Sequence, residues 1–131
     1  MSSSKSSVRT PLGRVRGLGS AGAGTSDFWL QRLTAIAMVL LTVPVIIIVM
    51  MMLSSSHAAA QQILGSPFGA IVLILFTIAS TWHMKIGMQV VIEDYVHDER
   101  LKLISIIGNN FFSIAVALAA IYAVLKLSSG V

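Results

Sequence analysis

Three uninterrupted apolar stretches dominate the chain, and its polar residues collect between them. The first runs from about Leu33 to Leu53, the second from about Phe68 to Ile92, and the third from about Ile104 to Leu127. At a rise of ~1.5 Å per residue, each is long enough to cross a hydrocarbon core of ~30 Å. Backbone amides in lipid must pair within a helix or around a closed barrel. Stretches of this length do not read as barrel strands, so the pattern predicts three transmembrane helices in an all-α membrane protein. Pro67 suits the first turn of the second helix, where its missing N–H is not needed. Pro44 lies inside the first helix and predicts a kink there. The segment SSSHAAAQQILGSP between these two helices reads as a loop, and no internal repeat is visible.

The polar residues divide the chain into two parts. Residues 1–27, rich in Ser, Gly and Arg, read as a flexible N-terminal segment, and residues 28–131 as a three-helix membrane domain. Lys5, Arg9, Arg14 and Arg16 all precede the first acid, Asp27. That basic, acid-poor start has the composition of a mitochondrial transit peptide, but no apolar core of a secretory signal follows it. Lys and Arg also set the orientation. The N-terminal segment through Arg32 carries five, the first loop none, the second loop Arg100 and Lys102, and the C-terminal end only Lys126. The positive-inside rule therefore places the N-terminus and the second loop on the cytoplasmic or matrix side.

Composition narrows the chemistry. The chain has 131 residues, 56% of them hydrophobic and 11% charged, with a mean hydropathy of +0.88. That balance excludes an ordinary soluble domain. The +4 charge sits at the ends of apolar segments, a pattern of membrane orientation and not of nucleic-acid binding. With no cysteine, the chain offers no disulfide, no thiolate metal site and no ligand for an iron–sulfur cluster. Any redox cofactor would be held by His or Met, or by a partner.

The candidate site lies in TWHMKIGMQVVIEDYVHDER, residues 81–100. At 100° per residue, Val72, Phe76, Ala79, Gly87, Val90 and Asp94 fall within roughly 40° of His83. His83 and Asp94 thus share a face, about 16 Å apart along the axis. Ala79 and Gly87, four residues to either side of His83, are small enough for a flat ligand to lie against the helix. Close helix packing is the other use of small residues, and a hydrogen bond across the bundle is the other use of the imidazole. Ionisable residues within a membrane are functional-site candidates by default. Lys85 points to the opposite face, where it can snorkel toward the headgroups.

HMKIGMQVVIEDY (83–95) closely resembles the signature of the small hydrophobic anchor subunit of succinate dehydrogenase, the membrane part of respiratory complex II. The histidine, the Gly-Met pair and the Asp-Tyr pair all match that family in spacing. RTPLGRVRGLGSA (9–21) and FWLQRLTAIA (28–37) resemble its bacterial members. The resemblance implies a haem-binding helical bundle shared with a second, cytochrome b-type anchor subunit. His83 would be an axial ligand of a b-type haem, with Gly87 against the macrocycle and Arg32 near the propionates. Tyr95 would hydrogen-bond a ubiquinone carbonyl, with Asp94 and Arg32 beside the quinone. Flavin and iron–sulfur clusters would belong only to the flavoprotein and iron–sulfur partner subunits, and ubiquinone would be the substrate. The chain would have no activity alone, and a trimer of such heterotetramers is compatible with the family.

The resemblance also sets alternatives. A quinol:fumarate reductase anchor would run the reaction in reverse. A small transporter or assembly protein would need polar residues along several helices, but the first helix offers only Thr34 and Thr42. The expected location is the bacterial inner membrane, with the mitochondrial inner membrane as the alternative. Lys85 stands where some relatives carry tryptophan, and no role is assigned to it or to His57 and His97.

Overall fold

The structure is a computed structural model and describes Leu12 and residues 24–130. Residues 24–130 form four helices in turn: α1 (Gly24–Leu53), α2 (His57–Gly65), α3 (Pro67–Tyr95) and α4 (Glu99–Ser129). The helices α1, α3 and α4 are long and apolar enough to cross a membrane. Their 30, 29 and 31 residues correspond to about 45 Å each, so their ends reach beyond the hydrocarbon.

All three spans are longer than the apolar runs alone predict, and local chemistry explains the extensions. Asp27 sits in the first turn of α1, where a carboxylate meets the positive end of the helix dipole. The helix, described from Gly24, takes in residues 24–27, the end of the polar N-terminal segment; residues 1–11, 13–23 and 131 lie outside the described residues. The Asp98 carboxylate accepts hydrogen bonds from the Arg100 and Leu101 amides at 3.0 and 2.9 Å. This cap starts α4 at Glu99 and gives Asp98 a structural role. Pro67 occupies the first turn of α3, behind the cap Ser66, whose hydroxyl accepts from the Gly69 amide at 3.1 Å. Pro44 lies inside an α1 that continues unbroken past it.

The loop expected between the first two spans contains a helix, α2. Ser56 caps it by accepting from the Ala59 amide, and Ala58, Ala59 and Ala60 are strong helix formers. So short a helix is marginal alone and needs tertiary contact. It finds that contact where Gly65 meets the backbone of Leu127 in α4: a Cβ added to Gly65 would lie 2.6 Å from the Leu127 carbonyl oxygen.

The order of packing makes α3 the centre. It touches both α1 and α4, while α1 and α4 do not touch each other among the described residues. Five of the six buried apolar residues, Ala70, Val72, Ala79, Ile86 and Ile92, lie on α3; the sixth is Ile48 on α1. The outer faces of α1 and α4 carry exposed Val39, Leu40, Val43, Phe111, Phe112 and Leu118, as lipid or another membrane subunit requires. One side-chain hydrogen bond ties α4 to α3: the Asn109 amide Nδ2 donates to the Lys85 carbonyl oxygen at 2.9 Å.

Two predictions follow from this packing. Gly65→Val should destabilise the folded chain by about 2 kcal/mol, an overpacking effect, whereas Gly108→Ala, whose Cβ would meet nothing, should be neutral or slightly stabilising. Asn109→Leu should remove about 1 kcal/mol, the scale of one interhelical hydrogen bond. Unfolding of each variant in detergent, followed by circular dichroism, measures all three.

Candidate functional site

His83 lies in the middle of the α1–α3 contact. The ring is half-buried, and both of its nitrogens meet the same turn of α1. Nδ1 is 3.1 Å from the Thr34 hydroxyl and 3.2 Å from the Gln31 carbonyl oxygen. Nε2 is 3.3 Å from the Gln31 side-chain amide nitrogen. Of the two readings open for this histidine, a hydrogen bond across the bundle is therefore present, and it engages both edges of the ring.

The small residues flanking His83 behave accordingly. Ala79 is buried. Above Gly87 stands the Gln31 side chain, whose Nε2 would lie 3.4 Å from a Cβ at that position. The flat face expected beside the imidazole is thus covered by α1, and the cover over Gly87 is one flexible side chain. The Gln31 Oε1 is buried with no hydrogen-bond partner, so this amide is only half satisfied where it sits.

Arg32, the next residue, turns away from His83. Its guanidinium lies 4.4 Å above the Phe28 ring, a cation–π contact. It lines an open groove of about 400 Å³ together with Asp27, Gln31, Gln89 and Glu93. Gln89 donates to Glu93 at 2.9 Å. Asp94 and Tyr95 do not line this groove. They end α3 at the same end of the bundle and are both exposed, Tyr95 to 77%. The structure thus sets Arg32 and Glu93 in one groove, and leaves the Asp94–Tyr95 pair outside it. His57 begins α2 and His97 lies in the α3–α4 connection, both exposed.

A second polar locus lies between α3 and α4. Lys85 is half-buried and lines a groove of about 350 Å³ with Thr81, Trp82, Ser113 and Ala117. It faces away from His83, as its angle on the helix predicts, but toward α4 and not simply to lipid. Ser113 is 4% exposed, and its hydroxyl has no partner.

Gln31, Thr34, Gln89 and Glu93 are the site residues that spacing on α3 alone does not single out. Gln31 and Thr34 do carry a signal. They are polar at positions i and i+3, hence on one helix face, where a span entering lipid has no other reason for polarity.

The comparisons with known proteins agree with this architecture. Residues 6–117 match the family described as succinate dehydrogenase/fumarate reductase transmembrane subunit. The succinate dehydrogenase hydrophobic membrane anchor subunit of Rickettsia bellii (strain RML369-C) is 34% identical over 88% of this chain and 93% of its own length. That of Paracoccus denitrificans is 33% identical over 92% of this chain and 93% of its own length. The succinate dehydrogenase membrane anchor subunit of Reclinomonas americana is 30% identical over 64% of this chain and 72% of its own. No solved structure matches the chain. A match over most of the length, in a chain whose three long apolar helices make it a multi-pass membrane protein, establishes that it belongs to the succinate dehydrogenase/fumarate reductase transmembrane subunit family.

Proposed function

We propose that the chain is a hydrophobic membrane anchor of succinate dehydrogenase, that it holds a b-type haem through His83, and that it forms part of a ubiquinone-reducing site at the end of α3. The single observation that carries the haem assignment is the imidazole placed inside the membrane span with both ring nitrogens engaged by one turn of α1. The residues fit such a group. Nδ1 faces oxygens, and the hydrogen-bond partner at Nε2 is the side-chain amide of Gln31. Rotation of that side chain would clear the surface above Gly87. His83 and a histidine of the second anchor subunit would hold the haem, which would supply one-electron transfer.

The quinone reading rests on the end of α3. Tyr95 is exposed there with its phenol free of side-chain hydrogen bonds among the described residues, and Asp94 is exposed beside it. Reducing a quinone to a quinol takes two electrons and two protons, so it needs donors at its carbonyl oxygens and access to water. Tyr95 would donate to one carbonyl and hold the ring. Asp94, reachable from water, would relay protons, and Arg32, which lines the neighbouring groove with Glu93, would supply positive charge at the same end of the bundle. The electrons would come from succinate, whose oxidation to fumarate releases two electrons and two protons in the flavoprotein subunit, by way of the iron–sulfur subunit. Both soluble subunits would dock at this end, where Glu93, Asp94, His97, Asp98, Glu99 and Arg100 are all exposed. By the positive-inside rule that end would face the cytoplasm, with the chain in a bacterial inner membrane.

Isolating the tagged chain from gently solubilised native membranes tests this directly. Succinate:quinone reductase activity should copurify with flavoprotein and iron–sulfur subunits, and their absence would contradict the anchor role. In the complex, Tyr95→Phe should lower quinone reduction roughly tenfold or more, the scale of one lost hydrogen bond to a reacting group. Succinate oxidation by a soluble artificial dye should continue. Equal loss of both activities would show that Tyr95 serves assembly and not the quinone.

A further inference from the structure

We infer that Thr34, together with the backbone carbonyl of Gln31, locks His83 as the tautomer that carries its proton on Nδ1, and that the Thr34 hydroxyl thereby tunes the ligand strength of Nε2. The inference rests on the proposed haem ligation by His83 and adds to it a positioning residue on α1.

The argument follows the protons. A carbonyl oxygen can only accept, so the Gln31 oxygen at 3.2 Å from Nδ1 requires a proton on that nitrogen. The Thr34 hydroxyl has one proton to give. It lies 2.7 Å from the Leu30 carbonyl oxygen and 3.1 Å from the Gln31 carbonyl oxygen, and both of these are acceptors. With its proton directed to the backbone, its oxygen meets Nδ1 at 3.1 Å as an acceptor. Two acceptors on one nitrogen make Nδ1 the protonated position. Nε2 then carries the lone pair, and the Gln31 amide, 3.3 Å away, donates to it. The four groups form one consistent set, and reversing the tautomer would set a lone pair of Nδ1 against that of a carbonyl oxygen.

This set has a chemical consequence. An imidazole whose Nδ1–H is held by an oxygen is a stronger base at Nε2 and is fixed in rotation. A stronger axial donor favours the oxidised metal and so lowers the reduction potential. Two acceptors hold the ring more firmly than one, and the Thr34 hydroxyl is the one a mutation can remove. Thr42 provides the matching control. Its hydroxyl makes the same backbone bond about two turns along, to the Met38 carbonyl oxygen at 2.6 Å, without touching the histidine.

Redox titration of the haem absorption band in the purified four-subunit complex tests the inference. Thr34→Val should shift the midpoint potential upward, and Thr34→Ala, which adds no bulk, should shift it the same way. Thr34→Ser keeps the hydroxyl and should titrate as wild type, as should Thr42→Val. An unchanged potential in both Thr34→Val and Thr34→Ala, with a haem that His83→Ala abolishes, would overturn the inference alone. A haem that survives His83→Ala unaltered would overturn the ligand assignment and the inference with it.

Discussion

An imidazole inside a lipid-spanning helix must find its partners in protein, because the bilayer core has no water to offer. Leaving such a polar group unpaired costs several kcal/mol. The structure meets that requirement by pressing α1 against α3 so that Gln31 and Thr34 enclose His83. Other features follow from this contact. Ala79 and Gly87 are small so that α1 can come close. Gln31 and Thr34 are polar in a helix whose membrane length is mostly apolar. The site belongs to neither helix alone, since one supplies the ring and the other sets its protonation.

The same packing explains why the chain is a component and not a self-sufficient protein. With α3 between α1 and α4, one layer of three helices buries only the middle one well, and the outer faces remain apolar and open. Lipid can cover some of that surface, and a second anchor subunit would cover the rest. The charged residues tell the same story from the other direction. All five acids of the chain lie at Asp27 or between Glu93 and Glu99, at the end where α1 begins and α3 gives way to α4. That end meets water and, in the proposed assembly, the soluble subunits. A quinone site there would join an apolar entrance from the bilayer to a wet supply of protons.

The three spans were legible in the sequence because lipid demands long apolar runs, and Pro67 marked the start of α3 for a simple reason of missing N–H. His83 stood out because ionisable groups are rare in such runs. The helix ends were less legible. The cap formed by Asp98 and the first-turn carboxylate of Asp27 extend α4 and α1 through polar sequence that hydropathy does not register. The helix α2 was hidden because its stability comes from Gly65 meeting the backbone of Leu127, a contact between residues far apart in the chain. The angular reading of α3 correctly grouped Ala79, His83 and Gly87 on one face, but it could not say that α1 fills that face. Nor could it show that Glu93, one residue from the expected Asp94, is the α3 acid that shares a groove with Arg32.

The central claim is that His83 is a haem ligand held ready by α1. A reduced-minus-oxidised visible spectrum of the purified complex, wild type beside His83→Ala, tests it most directly. The account predicts a b-type haem signal in the wild type that is lost or strongly weakened in the variant, with the subunits still assembled. A wild-type complex that is active and fully assembled but shows no haem would contradict it, and would leave His83 as a packing residue that ties α3 to α1.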